Sequence, residues 1–410
     1  MALTRRSFLI RSGVVGCSAA ASPLLTKMSF AALPTDNRLV VIILRGGMDG
    51  LDVVQPYGDP ELAGLRPTLK TGEAGGAEDL DGFFALNAGL ADLMPLWSKG
   101  DLAFAHAVST PYRNKRSHFD GQDLLEAGTG MDALGRAGQD GWLNRMLQVM
   151  PGADPRSAFA IGREEMLLLT GAAPVSNWSP DTYLNLSAQS RRLLELVYQQ
   201  DMLFQAAANE AMELAGTLEP DFGSENGGDA ADMAMMKQRM TASLRKGAHK
   251  RVAEFAAARL QENSRVAAFS INGWDTHRGQ AKALGSPLKK LSETILVLQK
   301  ELGAIWEKTA VLAMTEFGRT ARENGTGGTD HGTGGAMVLA GGAVAGGRVF
   351  ADWPGLSDSN LYQGRDLMPV MDVRAICAAT MQGIFGLDKG LLENAIFPGL
   401  DMAATPRVTL

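Results

Sequence analysis

Two short loops of this 410-residue chain set carboxylate beside imidazole, Asp275-Thr276-His277 and Asp330-His331, although the chain holds only five histidines. Imidazole nitrogen suits Zn²⁺, and carboxylate oxygen suits Zn²⁺, Mn²⁺, Mg²⁺ or Ca²⁺, so two such pairs predict a divalent-metal site. The purely structural alternative has the Asp residues orienting their loops and the His residues bonding backbone. Between the pairs, the apolar run 310–315 delivers Glu316, a third carboxylate, with Arg319 close behind. Arg319 is predicted either to grip a phosphate, sulfate or carboxylate with two parallel hydrogen bonds, or to pair with Glu316.

A further stretch, Arg116-Ser117-His118-Phe119-Asp120, has two readings. Ser117, three residues before Asp120, has the spacing of a helix N-cap. A hydroxyl at a helix start beside Arg116 and His118 also sits in positive potential, which favours a nucleophile and an incoming anion. His106, amid apolar residues, and His249, in a basic stretch, read as structural.

These residues need a frame. The continuous β-branched run 39–44 predicts a central strand covered on both faces, as in a parallel sheet. Glycines 46 and 47 allow a tight turn after it and place Asp49 just beyond the carboxyl end, where open α/β sheets hold their ligands. Runs at 102–108, 157–161, 266–271, 310–315 and 336–340 read as further strands. Helical periodicity marks 88–97, 119–126, 288–305 and 376–385. The expected class is therefore α/β, a mixed, mostly parallel sheet sandwiched by helices. Asp49, Asp275, His277, Glu316 and His331 each directly follow a predicted strand and converge at its carboxyl edge. A helical insertion is predicted over about 189–262, with a Met-rich face suited to core packing or a lid.

The amino terminus reads as a twin-arginine export signal, Thr4-Arg5-Arg6-Ser7-Phe8-Leu9, followed by a weakly apolar run and a small-residue cleavage site ending at Ala31. This predicts a periplasmic or secreted domain over residues 32–410, exported folded, with lipid anchoring at Cys17 as the alternative. Removing residues 1–31 takes away four basic groups and no acidic one, so the formal charge goes from −6 to −10. Nucleic acid is then not an expected partner. Cys377 is left alone, so no intramolecular disulfide stabilises the exported chain. No run after residue 31 approaches the ~18 apolar residues of a membrane span.

Leu44-Arg45-Gly46-Gly47-Met48-Asp49-Gly50-Leu51, the Arg116–Asp120 stretch, Trp274-Asp275-Thr276-His277, Glu316-Phe317-Gly318-Arg319-Thr320 and Gly328-Thr329-Asp330-His331-Gly332 together resemble, in order, the domain-of-unknown-function 1501 family. That family is placed in the alkaline phosphatase and sulfatase superfamily. The resemblance implies an alkaline phosphatase-like sheet with a metal site at its carboxyl edge. It also implies Ser117 as nucleophile, and Asp49, Asp275, His277 and His331 as ligands. Phe317 stands where the superfamily has a histidine, which implies one metal rather than two. The implied function is an exported metal-dependent hydrolase of small-molecule or polymer phosphate or sulfate esters, with Arg319 or Arg116 holding the ester oxygens. The alternative is a non-catalytic envelope protein that binds or assembles with a partner on the same scaffold.

Overall fold

The computed structural model describes residues 35–134, 139–161, 166–178 and 247–410. The chain is built around one sheet. Its long strands are β1 (Arg38–Arg45), β5 (Leu102–Ser109), β6 (Ala158–Ile161), β8 (Val266–Asn272), β9 (Thr309–Met314) and β10 (Gly335–Ala340). The short pieces β7 (Ser176–Trp178), β11 (Arg348–Phe350) and β12 (Met371–Asp372) complete it. Strand order is β11-β5-β10-β9-β1-β8-β6-β7, with β12 also against β5. Only β10 runs antiparallel to its neighbours; the remaining pairings are parallel. The fold is thus α/β with a mostly parallel central sheet between helices. A small antiparallel sheet, β2 (Val54–Gln55), β3 (Glu78–Asp79) and β4 (Ala85–Leu86), lies outside it.

Strand β1 shows why a continuous apolar run was needed. Leu39, Val41 and Ile43 enter one core, and Val40, Ile42 and Leu44 enter the other. Successive side chains of a strand alternate faces, so a sheet covered on both sides leaves no position for a polar residue. Fully burying each such side chain contributes about 1.5–3 kcal/mol. Helices Trp142–Val149 and Val373–Phe385 cover the first face; Ala248–Gln261 and Gly285–Leu302 cover the second.

The predicted helix at 88–97 is a 3₁₀ stretch, Ala88–Leu93, followed by an α-helix, Met94–Lys99. Pro95 has no N–H to give to a carbonyl one turn back, so it suits the start of a helix and not its interior. The Met-rich segment and most of the predicted insertion fall at 179–246, outside the described residues, as do the export signal and Cys17. Helix Ala248–Gln261, at the insertion's end, packs against helix Gly285–Leu302. Among the described residues no helix is long and apolar enough to cross a membrane.

Candidate metal centre

Four loops meet at the carboxyl edge of the sheet. Those after β1, β8 and β9 carry Gly46–Asp49, Asp275 with His277, and Glu316 with Arg319, and the chain beyond β5 leads to helix His118–Ala127. Asp330 and His331 arrive differently. They were expected directly after a strand, but they precede β10. Because β10 is antiparallel to its neighbours, its amino end lies at their carboxyl edge, so a residue entering it reaches the same place. The arriving segment is zipped to the departing one, with Arg319 bridged to His331 and backbone hydrogen bonds from Gly318 to Thr333 and from Thr320 to Asp330. Gly46 closes the β1 side. It has φ of +121°, and a Cβ there would stand 2.6 Å from the Asp275 amide nitrogen.

Ligand atoms of His118, Asp275 and His331 lie within 4.8 Å of one another. Asp275 Oδ1 is 3.0 Å from His277 Nε2 and 3.3 Å from His331 Nε2, while Oδ2 is 3.6 Å from His118 Nε2. The two nitrogens Nε2 of His277 and His331 stand 3.0 Å apart.

The second nitrogen of each ring settles which lone pairs are bare. His118 Nδ1 donates to Glu316 Oε1 at 2.7 Å, His277 Nδ1 to Asp330 Oδ1 at 3.2 Å, and His331 Nδ1 to the Arg116 carbonyl at 3.0 Å. A carboxylate or a carbonyl only accepts, so each Nδ1 carries a proton; a neutral ring then presents an unprotonated Nε2, and a protonated ring of His277 or His331 would donate from Nε2 to Asp275 Oδ1 as well. His118 Nε2 is buried and without a hydrogen-bond partner. Histidines tied at one nitrogen to an oxygen acceptor, with the other nitrogens converging on one carboxylate, are arranged as metal ligands are. At Zn–N and Zn–O bonds of 2.0–2.1 Å, the edge of a tetrahedron is roughly 3.3–3.4 Å. The separations of 3.0, 3.3 and 3.6 Å bracket that edge. His118, Asp275 and His331 therefore fit a divalent cation, with His277 Nε2 beside them at 3.0 Å from both Asp275 Oδ1 and His331 Nε2.

Titration tendencies agree with this division of labour. Burial would raise Glu316, but hydrogen bonds from His118, Gln122 and Thr315 hold it below the usual carboxylate range. Its hydrogen bond to Glu316 raises His118, against burial, so a proton competes for that site. Burial lowers His331, which keeps it neutral. Asp275 resists burial through its hydrogen bond and charge contact with Arg319 and stays ionised.

Other sequence-predicted residues lie behind these ligands or away from them. Glu316 and Asp330 act on the rings of His118 and His277. Arg319 is only 1 % exposed and donates to the carbonyls of Gly46, Gly47, Trp274 and Thr329 and, at 2.7 Å, to Asp275 Oδ1. Its guanidinium is spent on holding the loops and the Asp275 carboxylate. Asp49 is fully buried in a two-pronged pair with Arg66 at 2.8 and 3.0 Å, outside the cluster. Ser117 caps helix His118–Ala127, its hydroxyl accepting from the Asp120 amide at 3.3 Å. Arg116 is exposed and reaches the cluster through its carbonyl. Phe317 packs its ring 5.1 Å from His118 and 5.0 Å from His331, forming a wall of the cluster and not a ligand.

His118, not among the ligands expected from sequence, joins the cluster. Its signal in the sequence is an imidazole in the same short stretch as Ser117. His106 and His249 are structural as expected, the first bonded to the Val54 and Gly50 carbonyls and the second to Glu293.

The profile of the family described as "Protein of unknown function (DUF1501)" matches residues 81–395. The chain belongs to that family. Comparison with curated proteins finds no match. Among solved structures, the chain is similar to the lipoteichoic acid synthase LtaP from Listeria monocytogenes at 8 % identity, covering 91 % of this chain and 78 % of that one, with a TM-score of 0.37. It is also similar to the PsFucS1 sulfatase from Pseudoalteromonas sp. at 13 % identity, covering 98 % and 75 %, with a TM-score of 0.34. What the DUF1501 chain does at the edge of its sheet is therefore argued from its own residues.

Proposed function

We propose that this protein is a metal-dependent hydrolase of phosphate or sulfate esters, exported by the twin-arginine signal at its amino terminus. The observation that carries the reading is the convergence of three imidazole Nε2 atoms on the Asp275 carboxylate, each ring's Nδ1 being tied to an oxygen acceptor. Bare nitrogen lone pairs and a carboxylate oxygen repel one another at 3.0–3.3 Å, and a cation or an added proton relieves that repulsion. His118, Asp275, His277 and His331 would hold the cation, with Zn²⁺ best matched to three nitrogens and one oxygen and Mn²⁺ or Mg²⁺ as rivals.

When bound, a divalent cation supplies Lewis acidity toward an ester oxygen. The chain's own residues supply the rest. Ser117 sits at the positive end of helix His118–Ala127, one residue from a ligand, and its hydroxyl proton has no acceptor among the described residues. Its Oγ would form the bond to phosphorus or sulfur as the bond to the leaving oxygen breaks, the hydroxyl proton passing to solvent. The leaving oxygen takes up one proton from solvent in exchange, and a water molecule then adds to phosphorus or sulfur, which releases the acid and returns the proton to Ser117 Oγ. The Arg116 guanidinium, exposed and without a hydrogen-bond partner among the described residues, is available to the ester's anionic oxygens. Arg319, expected for the same task, is a positioning residue for Asp275.

A non-catalytic envelope protein is favoured by one observation: the buried guanidinium closest to Asp275 has its donors turned to backbone carbonyls and to Asp275 itself, which leaves them engaged within the protein. The two readings separate on purified protein. Metal content by plasma mass spectrometry, together with turnover of aryl phosphate and aryl sulfate, supports the hydrolase. Stoichiometric metal with no turnover of either ester, across several cations, favours the binding protein.

A further inference from the structure

Besides Arg319, a second buried side chain, Gln280, joins the loop carrying Asp275 and His277 to the loop carrying Asp330 and His331. Its Oε1 accepts from the hydroxyl of Thr276 at 2.9 Å and from that of Thr329 at 2.7 Å. Its Nε2 donates to Asp49 Oδ2 at 2.6 Å and Asp52 Oδ2 at 2.7 Å. Thr276 and Thr329 are the residues immediately before His277 and Asp330, and both are buried. The orientation of the amide follows from the Asp49 and Asp52 carboxylates, which accept and so face its nitrogen, leaving its oxygen to the hydroxyls, which can donate. All four hydrogen bonds of the amide are therefore used.

We infer that Gln280 is the positioning residue that sets the separation of the two ligand loops. The other end of the network is anchored: Asp49 is held by Arg66, whose remaining donors reach the carbonyls of Thr320 and Ala321. The β1 loop, the segment after β9 and both histidine loops thus share one buried framework. Around it the two loops also meet directly: the amides of Gly279, Gln280 and Thr329 reach the carbonyls of Thr326, Gly327 and Thr276, Asn324 and Thr326 bond the His277 carbonyl, and His277 Nδ1 meets Asp330. Gln280 is the link that ties these contacts to the buried Asp49 and Asp52 beneath. A shift at Gln280 moves both loops at once, and His277 and His331 are the pair whose Nε2 atoms must share one cation. Groups that orient metal ligands typically change affinity 10–100-fold when removed.

This inference rests on the metal reading, and the test separates the two. Gln280→Met, Thr276→Val and Thr329→Val are compared with the parent in the full chain. Zn²⁺ affinity is read by chelator competition, ligand geometry by the visible spectrum of the Co²⁺ form, and loop order by amide hydrogen exchange without metal. Expected are a 10–100-fold loss of Zn²⁺ affinity in Gln280→Met, an altered Co²⁺ spectrum, and faster exchange in both loops together. Either threonine variant alone should lose less, and adding it to Gln280→Met should cost nothing further, because the link is already cut. A folded Gln280→Met with parental affinity, spectrum and exchange overturns the inference. If that variant fails to fold, unchanged exchange and affinity in both threonine variants overturn it equally. A parent that binds no Zn²⁺ while Gln280→Met still loosens both loops sinks the metal reading and leaves Gln280 as the link between them.

Discussion

His277 Nε2 lies 3.0 Å from His331 Nε2, and because each ring's Nδ1 donates elsewhere, the two rings when neutral would meet lone pair to lone pair. Two neutral imidazoles do not adopt this approach for its own sake. Of the agents that make it favourable, a proton is the weaker candidate at His331, whose burial lowers its proton affinity.

Removing one of these nitrogens should act on metal before it acts on fold. His331→Ala is expected to lower Zn²⁺ content below stoichiometry, while Ser117→Ala leaves metal in place and abolishes ester hydrolysis. A ligand contributes directly to the cation's binding, whereas a nucleophile is needed for the chemical step. Losing the Ser117 cap should cost about 0.5–2 kcal/mol, small enough for the fold to survive. Metal analysis beside aryl-ester turnover checks both. A folded Ser117→Ala protein with parental turnover would reduce Ser117 to a helix cap.

Glu316→Gln tests the orientation of His118. The carboxylate now accepts from His118 Nδ1, from Gln122 and from the Gly46 amide through one oxygen. An amide can present N–H to the ring instead, which would favour the other tautomer and protonate Nε2. Zn²⁺ affinity should fall about 10–100-fold, with a smaller effect on unfolding free energy. Equal affinity in parent and variant would show that His118 is not held as a ligand.

The frame of this site was legible because its strands are runs that a sheet covered on both faces requires, as β1 shows. Asp275, His277 and Glu316 were legible as site candidates because they directly follow such runs. The direction of β10 was not legible, since an apolar run of six residues reads the same in a parallel or an antiparallel strand. Nor was the fate of Asp49. A carboxylate after the first strand reads as a ligand until the fold brings Arg66 onto it, and nothing local to Arg66 announces that contact. The contacts of Arg319 were not legible for the same reason, since most of the carbonyls that occupy it come from loops over 40 and over 270 residues away. Short strands such as β11 and β12 carry too few residues for a periodic signal.

The Asp49–Arg66 pair predicts a stability effect independent of any metal. Both side chains are at most 1 % exposed, so removing one partner strands a buried charge. Arg66→Met is expected to cost about 3–5 kcal/mol in urea unfolding. The double variant Arg66→Met with Asp49→Asn should lose less than the sum of the single variants, by about 0.5–3 kcal/mol, because the stranded charge is gone. Strict additivity would mean that the two groups contribute separately.

His106 should make the protein sensitive to mild acid. It is wholly buried, its Nε2 donating to the Val54 carbonyl at 2.8 Å and its Nδ1 accepting from the Ala107 amide at 2.8 Å. Burial lowers its pKa from 6.5 to about 4, only partly offset by the bonds to Val54 and Gly50. The unfolded chain therefore binds this proton first as the pH falls. Stability from His106 is complete above about pH 6.5, declines between there and about pH 4, and levels off below, with a total of about 3 kcal/mol. Carboxylates add their own acid dependence, so the informative quantity is a difference between proteins. His106→Gln can still donate to the Val54 carbonyl but cannot take up a proton. It should be less stable than the parent at pH 7.5, where it loses the ring's packing on Phe84 and Trp353, and should close that gap as the pH falls toward 4. Urea unfolding of both proteins across this range reads the gap directly, and a gap that stays constant from pH 7 to 4 would show that His106 does not titrate on unfolding.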